Sequence, residues 1–146
     1  MYWDTAWIKD AQKELAGAKH AVLTSYVFNN VQMHATLCRN LRRPDFTCSV
    51  LVDDDGYTNN KASNEKRLLG ELKYLGAQVC LCSGRARGGI FHWKALLLDS
   101  RILYWGTANF TQATLNHRDL MQRLTGPAIN DVKEGIDDAV KDCKYL

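Results

Sequence analysis

Apolar positions recur with two different periods along this chain, and the alternation of those periods predicts its elements. Over residues 4–16, DTAWIKDAQKELA, Trp7, Ile8, Ala11 and Leu15 share one helical face, and Asp4 is placed to cap the first turn. AVLTSYVF (21–28) is a run of β-branched and aromatic residues and predicts a buried strand. Asn29 or Asn30 can then cap a helix through VQMHATLCRNLRR, which Pro44 stops. FTCSVLVD (46–53) predicts a second strand and DDDGYTNN (53–60) a solvated turn. From Ser63 a helix is expected through NEKRLLGELKYLG, with Leu68, Leu69, Leu72 and Leu75 inward and Gly76 as its stop. AQVCLC (77–82) predicts a third strand.

This strand-helix order implies parallel strands joined by right-handed crossovers. After SGRARGG the pattern changes. IFHWKALLL (90–98) and RILYWGTA (101–108) are apolar runs divided by Asp99-Ser100, the pattern of an antiparallel hairpin. A short helical piece, TQATLN, follows. RDLMQRL (118–124) predicts a strand, and PAINDVKEGIDDAVKD a last helix with Pro127 in its first turn. The expected fold class is α/β: a mixed, mostly parallel sheet flanked by helices on both faces, one domain over residues 1–146. At 146 residues a core forms without a metal or disulfide staple.

Composition narrows the class. The chain is 46% hydrophobic and 24% charged, which excludes disordered and collagen-like chains. No apolar run approaches the ~20 residues of a membrane span. The opening MYWDTAWIKD lacks the basic-then-apolar pattern of a signal peptide, so an intracellular, cytoplasmic location is expected. In that setting the five cysteines are expected as reduced thiols, and Cys80-x-Cys82 reads as buried strand thiols rather than zinc ligands. Net charge is +3, but from Pro127 onward three Lys face five acids, so residues 1–126 carry +5. That excess suits a polyanionic partner.

The candidate chemistry lies in residues 90–120. His92 and Lys94 alternate with Phe91, Trp93 and Ala95 on an expected strand, so they share a face. An imidazole beside an ammonium on an otherwise apolar strand is poor core design unless an anion lies between them. On the second hairpin strand Thr107 and Asn109 also share a face, and Gly106 permits close backbone approach to a ligand. Gathered by the hairpin, His92, Lys94, Thr107 and Asn109 suit a phosphate: charge, directed donors, and a nucleophile or acid. Arg85 and Arg87, in the glycine-rich loop before His92, can present guanidiniums to a phosphodiester. His20, His34 and His117 are expected to be structural or surface residues, Arg39, Arg42 and Arg43 to complement a helix C-terminus, and Trp93 and Trp105 to be core. Asp53-Asp54-Asp55-Gly56 departs from the calcium-loop spacing, and no metal site is expected.

His92-x-Lys94, four residues, Asp99, six residues, Gly106-Thr107-x-Asn109 resembles the phospholipase D superfamily signature H-x-K-x4-D-x6-G-S/T-x-N. The strand-helix order on either side is similar to one catalytic domain of that superfamily. The resemblance implies a metal-independent, cofactor-free phosphodiesterase that forms a phosphohistidine. It implies a structural role for Asp99 at the hairpin turn. Asp119, on the strand after the G-T-x-N, would stand where the family places the carboxylate that holds the second nitrogen of the nucleophilic imidazole. The family mechanism uses two histidines, and this chain carries the motif once. A twofold homodimer sharing one active site, as in the small endonucleases and the mitochondrial cardiolipin hydrolase type of that family, is therefore expected, the rival account being that the chain is half of a longer two-motif protein. Nucleic acid, DNA or RNA, is the expected substrate. A phospholipid substrate is the alternative, and a non-catalytic nucleic-acid-binding domain a second one.

Overall fold

The helical stripes and apolar runs assemble on one eight-stranded sheet, in a computed structural model that describes residues 1–60, 64–85 and 89–146. In chain order the elements are β1 (Tyr2–Trp3), α1 (Ala6–Gly17), β2 (His20–Ser25), α2 (Val31–Leu41), β3 (Thr47–Asp53), α3 (Asp54–Asn59), α4 (Glu65–Tyr74), β4 (Gln78–Cys82), β5 (Ala95–Leu98) and β6 (Ile102–Gly106). A 3-10 turn (Ala113–Asn116), β7 (Leu120–Thr125), α5 (Ala128–Val140) and β8 (Lys144–Tyr145) complete the chain. The strand order is β1-β7-β6-β5-β2-β3-β4-β8.

The sheet is mixed and flanked by helices on both faces, as expected, but it is not mostly parallel. Only β2–β3 and β3–β4 run parallel, two of the seven pairings among the described residues. The hairpin strand β5 inserts antiparallel beside β2, and the two-residue strands β1 and β8 add antiparallel edges that carry no sequence pattern.

Two apolar layers result. α1, α2 and α4 cover one face, where Trp7, Leu15, Met33, Leu37, Leu69 and Leu72 meet Leu23, Val50, Val52 and Leu96. α5 covers the other, with Ile129 and Ile136 against Leu51, Leu97 and Leu103. The period-2 alternation along β5 therefore serves both layers: Leu96 and Leu98 point to the three-helix side, Ala95 and Leu97 to α5.

Several boundaries shift for physical reasons. Asp4 does not cap α1; it adopts a positive φ of 55°, and the helix starts after Thr5 without a side-chain cap. Asn30 rather than Asn29 caps α2, accepting from Met33 N at 2.9 Å, a bond worth about 1 kcal/mol. The expected start at Ser63 lies outside the described residues, and α4 ends at Tyr74, with Gly76 at φ 103° just past its cap Leu75. The Asp53–Asn60 segment is not a solvated turn: Asp53 is buried, and its Oδ2 accepts from Gly56 N at 2.8 Å to cap α3.

The cysteines depart most from expectation. β8 returns the C-terminal segment along β4, which brings Cys143 to Cys82 and bonds them across 61 residues of sequence. Closing a loop of that length is worth about 4 kcal/mol in the chain-entropy account. Cys38, Cys48 and Cys80 are free and buried. Among the described residues no helix is long and apolar enough to cross a membrane.

Glu65, at the start of α4, is buried and accepts from Phe28 N at 2.8 Å. Burial raises its carboxyl to about 7, with Asp53 adding to the rise and Lys66 opposing it. The folded protein thus holds this proton to a higher pH than the unfolded chain does. The stability contributed at low pH is lost as pH rises from near 4.5 to near 7. Glu65→Gln removes the titration while keeping the acceptor. In urea denaturation at pH 5 and pH 8, the variant is expected to gain on the wild type by on the order of 2 kcal/mol between the two conditions.

Candidate active site

The C-terminal ends of β2, β3, β4 and β6 and the N-terminal ends of β5 and β7 meet at one edge of the sheet. The registers Thr24↔Ala95, Ala95↔Trp105 and Gly106↔Met121 bring them there. Ligands in α/β sheets gather at such carboxyl ends. The motif hairpin is anchored from the opposite edge. Asp99 and Ser100 both take positive φ, 52° and 54°, and Asp99 Oδ1 accepts from the backbone N–H of Lys19 (2.9 Å) and His20 (2.8 Å). Asp99 N donates to His20 O at 2.9 Å. This carboxylate locks the turn to the start of β2.

At the site edge, residues 90–94 are not part of the strand: the ladder begins at Ala95, and His92 and Lys94 stand in the segment leading into it. His92 is exposed, and its ring nitrogens make no hydrogen bond among the described residues. Its ring lies against Tyr26, with centroids 5.8 Å apart and planes tilted 60°. Lys94 is 9% exposed, and its Nζ donates to His92 O at 2.9 Å. Burial pushes the Lys94 ammonium below its usual range, and the negative charge of Asp119 opposes that shift.

Asn109 is oriented by β2. Its Oδ1 accepts from Tyr26 N (3.1 Å) and Ser25 Oγ (3.3 Å), which leaves the Nδ2 donors without a protein partner among the described residues. Thr107 is held otherwise. Its hydroxyl donates to Asp119 Oδ1 at 2.8 Å and accepts from Leu120 N at 3.0 Å, so its one hydrogen is spent on Asp119. Gly106 allows close backbone approach, but to a strand rather than to a ligand: a Cβ there would lie 2.1 Å from Leu120 O. The expected Asp119–His92 hydrogen bond is absent. Asp119, with its short side chain, turns one oxygen to Thr107, and its Oδ2 is buried without a partner. Arg85 and His92 both line a cavity of about 590 Å³, as do Asp138 of α5 and Asp142 just after it. Arg87 lies outside the described residues.

His20 and His34 stay away from this edge. His20 pairs with Thr47 at 2.6 Å, and His34 lies between Glu71 (3.1 Å) and Cys38 (3.4 Å) at the α2–α4 contact. His117 is exposed. Arg42 donates to Cys38 O at the end of α2, and Arg43 donates to the carbonyls of Ala16 and Ala18. Trp93 and Trp105, expected as core, are 44% and 46% exposed. The register places Trp105 across from Gln122 and Trp3 across from Leu120, all on the α5 side of the sheet where α5 does not reach. Sequence reasoning did not single out Ser25 or Tyr26 and placed Asp53 in a solvated turn. Their signal was position: Ser25 and Asp53 end parallel strands, and Tyr26 follows Ser25.

A family model described as "Cardiolipin synthase, PLD-like domain" matches residues 7–134. Among solved structures, NucT from Helicobacter pylori is similar with a TM-score of 0.81 at 19% identity, over 95% of this chain and 90% of that one. Nuc, a phospholipase D family member from Salmonella typhimurium, has a TM-score of 0.82 at 15% identity, over 95% and 90%. A phosphatidylserine synthase from Haemophilus influenzae Rd KW20 has a TM-score of 0.77 at 12% identity, over 96% of this chain and 37% of that one. At these identities the likeness is one of fold. No curated protein matches the chain in sequence.

The Lys94–Asp119 relation is open to measurement. Asp119→Asn removes the charge that favours the ammonium, so Lys94 is expected to release its proton at a lower pH than in the wild type. The midpoint of the Lys94 13Cε chemical-shift titration reads this directly. An unchanged midpoint would mean that Asp119 exerts no field on Lys94.

Proposed function

The chain belongs to the family of the cardiolipin synthase PLD-like domain, and on that premise we propose that it is a metal-independent phosphodiesterase that cleaves nucleic acid through a phosphohistidine at His92. The observation that carries this reading is the exposed His92 imidazole, whose ring nitrogens make no hydrogen bond among the described residues, together with the buried ammonium of Lys94 and the Asn109 amide donors that have no protein partner among them. A neutral imidazole is a competent nucleophile near pH 7. Its lone pair forms a P–N bond to the phosphodiester as the P–O bond to the leaving group breaks. A second imidazolium supplies the leaving oxygen with its proton. Water then gives a proton to that second imidazole and attacks phosphorus, the P–N bond breaks, and His92 returns to its starting state.

Lys94 and the Asn109 amide stabilise charge on the oxygens of the transferring group. The buried ammonium acts in a setting where its field is screened less than in water. Thr107 keeps its hydroxyl on Asp119 and so serves the phosphate indirectly, through the carboxylate that favours charged Lys94. The second imidazole comes from the partner's His92 in a twofold homodimer. Arg85 and Arg87 and the positive charge of residues 1–126 favour a nucleic-acid strand as substrate.

A second reading has its own support. Trp3, Trp93, Trp105 and Leu120 are exposed on the α5 side near the site, an apolar border suited to a phospholipid. Phosphatidyl transfer uses the same chemistry with an alcohol in place of water. A non-catalytic binder has less behind it, since binding alone has no use for an unpaired imidazole at this position.

Supercoiled plasmid, a single-stranded RNA and phospholipid vesicles, each incubated with the chain in excess EDTA, separate these readings. Nucleic-acid cleavage that survives EDTA is expected, with His92→Asn lowering it by roughly 10³-fold or more. Turnover of the vesicles alone selects the lipid reading, and turnover of none leaves a binding domain. Dilution to monomers, followed by light scattering, is expected to abolish cleavage. An active monomer overturns the shared site.

A further inference from the structure

The turn after β3 has no part in the mechanism above, yet it touches the site at two points. Asp53 is the last residue of β3, and its carboxylate is fully spent on backbone. Oδ2 caps α3 at Gly56 N, and Oδ1 accepts from Phe91 N at 2.6 Å, the residue immediately before His92. Asp53 N in turn donates to Tyr26 O at 3.3 Å. The Tyr26 ring rests on Gly56, where a Cβ would meet its Cζ and its carbonyl oxygen at 3.3 Å. The opposite side of that tyrosine serves the site: the ring lies against His92, and its backbone N–H holds Asn109 Oδ1.

Resting on the phosphodiesterase reading, we propose that Asp53 and Tyr26 are positioning residues that fix where the His92 imidazole stands relative to the Asn109 amide. The segment 89–94 precedes β5, and its backbone is bonded near its two ends, where Gly89 O accepts from Gly84 N and Lys94 O from Gly106 N, so no backbone–backbone bond of His92 itself holds the nucleophile. Asp53 ties that segment at Phe91, and the Tyr26 ring bounds the space into which the imidazole can swing. The same tyrosine fixes Asn109 through its backbone, so nucleophile and phosphate donor are referenced to one residue. A Cβ at Gly56 would press on this ring at 3.3 Å, so the ring would have to give by a few tenths of an ångström. An error of about 1 Å in such a placement is enough to cost on the order of 10²-fold in turnover.

Two independent readouts test this. Turnover of bis(p-nitrophenyl) phosphate by Tyr26→Leu is expected to lose about 10–100-fold in kcat with KM within about twofold, because ground-state binding does not need the imidazole in place. Tyr26→Phe is expected to restore kcat, since the ring and the backbone N–H remain. Gly56→Ala is expected to fall between them, and Asp53→Asn, whose amide can accept from only one of the two N–H groups without opposing the other, to resemble Tyr26→Leu.

The second readout needs no activity. The His92 ring-proton shifts carry the ring current of Tyr26, and are expected to move in Tyr26→Leu and Gly56→Ala and to persist in Tyr26→Phe. Wild-type kcat and unmoved His92 signals in Tyr26→Leu overturn the proposal. A kcat loss that Tyr26→Phe does not restore also overturns it, because the hydroxyl rather than the placement would then matter. A wild-type chain that turns over no phosphodiester defeats the enzyme reading, and the His92 signals still decide the positioning.

Discussion

Asp99 occupies a turn in which two successive residues have positive φ, and its carboxylate takes the first two N–H groups at the entry to β2. That pair of bonds sets β5 antiparallel to β2 with Leu98 opposite Ala21 and Ala95 opposite Thr24. A slip of one residue would exchange Leu96 and Leu98 with Ala95 and Leu97 across the sheet, against two differently packed layers. The register is therefore determined from both faces. Once it is set, the other end of the hairpin must deliver His92 and Lys94 to the ends of β2 and β3, where Asn109 and Tyr26 wait. An aspartate at the far edge of the sheet thus governs where the chemistry at the near edge is assembled.

The site edge divides its polar groups between those satisfied by the protein and those left for a ligand. Asn109 gives its oxygen to β2 and keeps its donors, Thr107 gives its hydrogen to Asp119, and Asp53 is exhausted on Phe91 and Gly56. The free donors are those a phosphate oxygen can use, and the spent groups are those that would repel or ignore it. Burial lowers the Lys94 pKa, and the negative charge of Asp119 opposes that shift. Asp119 thereby relates to the imidazole's neighbours rather than to the imidazole, which leaves the ring to be placed by packing.

Much of this was legible in residue order. The 3.6 and 2 periods mark α1, α2, α4, β2, β3 and β4 because each buries one stripe or one run. His92, Lys94, Asp99, Gly106, Thr107 and Asn109 are separated by short, fixed gaps that a hairpin must bring together, so their spacing is itself a geometric statement. Asp53 read as solvated because three acids in a row look like a surface turn; only the approach of Phe91 buries it. Trp93 and Trp105 read as core because strand aromatics usually are; Trp93 lies against Gly135 of α5 and stays half-exposed, and Trp105 lies where α5 does not reach. β1 and β8 have two residues each, too few for any period, and with β8 went the proximity of Cys143 to Cys82.

The sequence by itself determined the class of fold, the motif hairpin and the cluster of polar residues that the hairpin gathers, because those follow from local periodicity and from gaps of a few residues. The tertiary structure alone decided which groups in the cluster are free and which are spent, where Tyr26 and Asp53 stand, and which cysteines meet. Most of those outcomes depend on contacts between segments 38 to 84 residues apart, and no local pattern records the direction from which a distant strand end arrives.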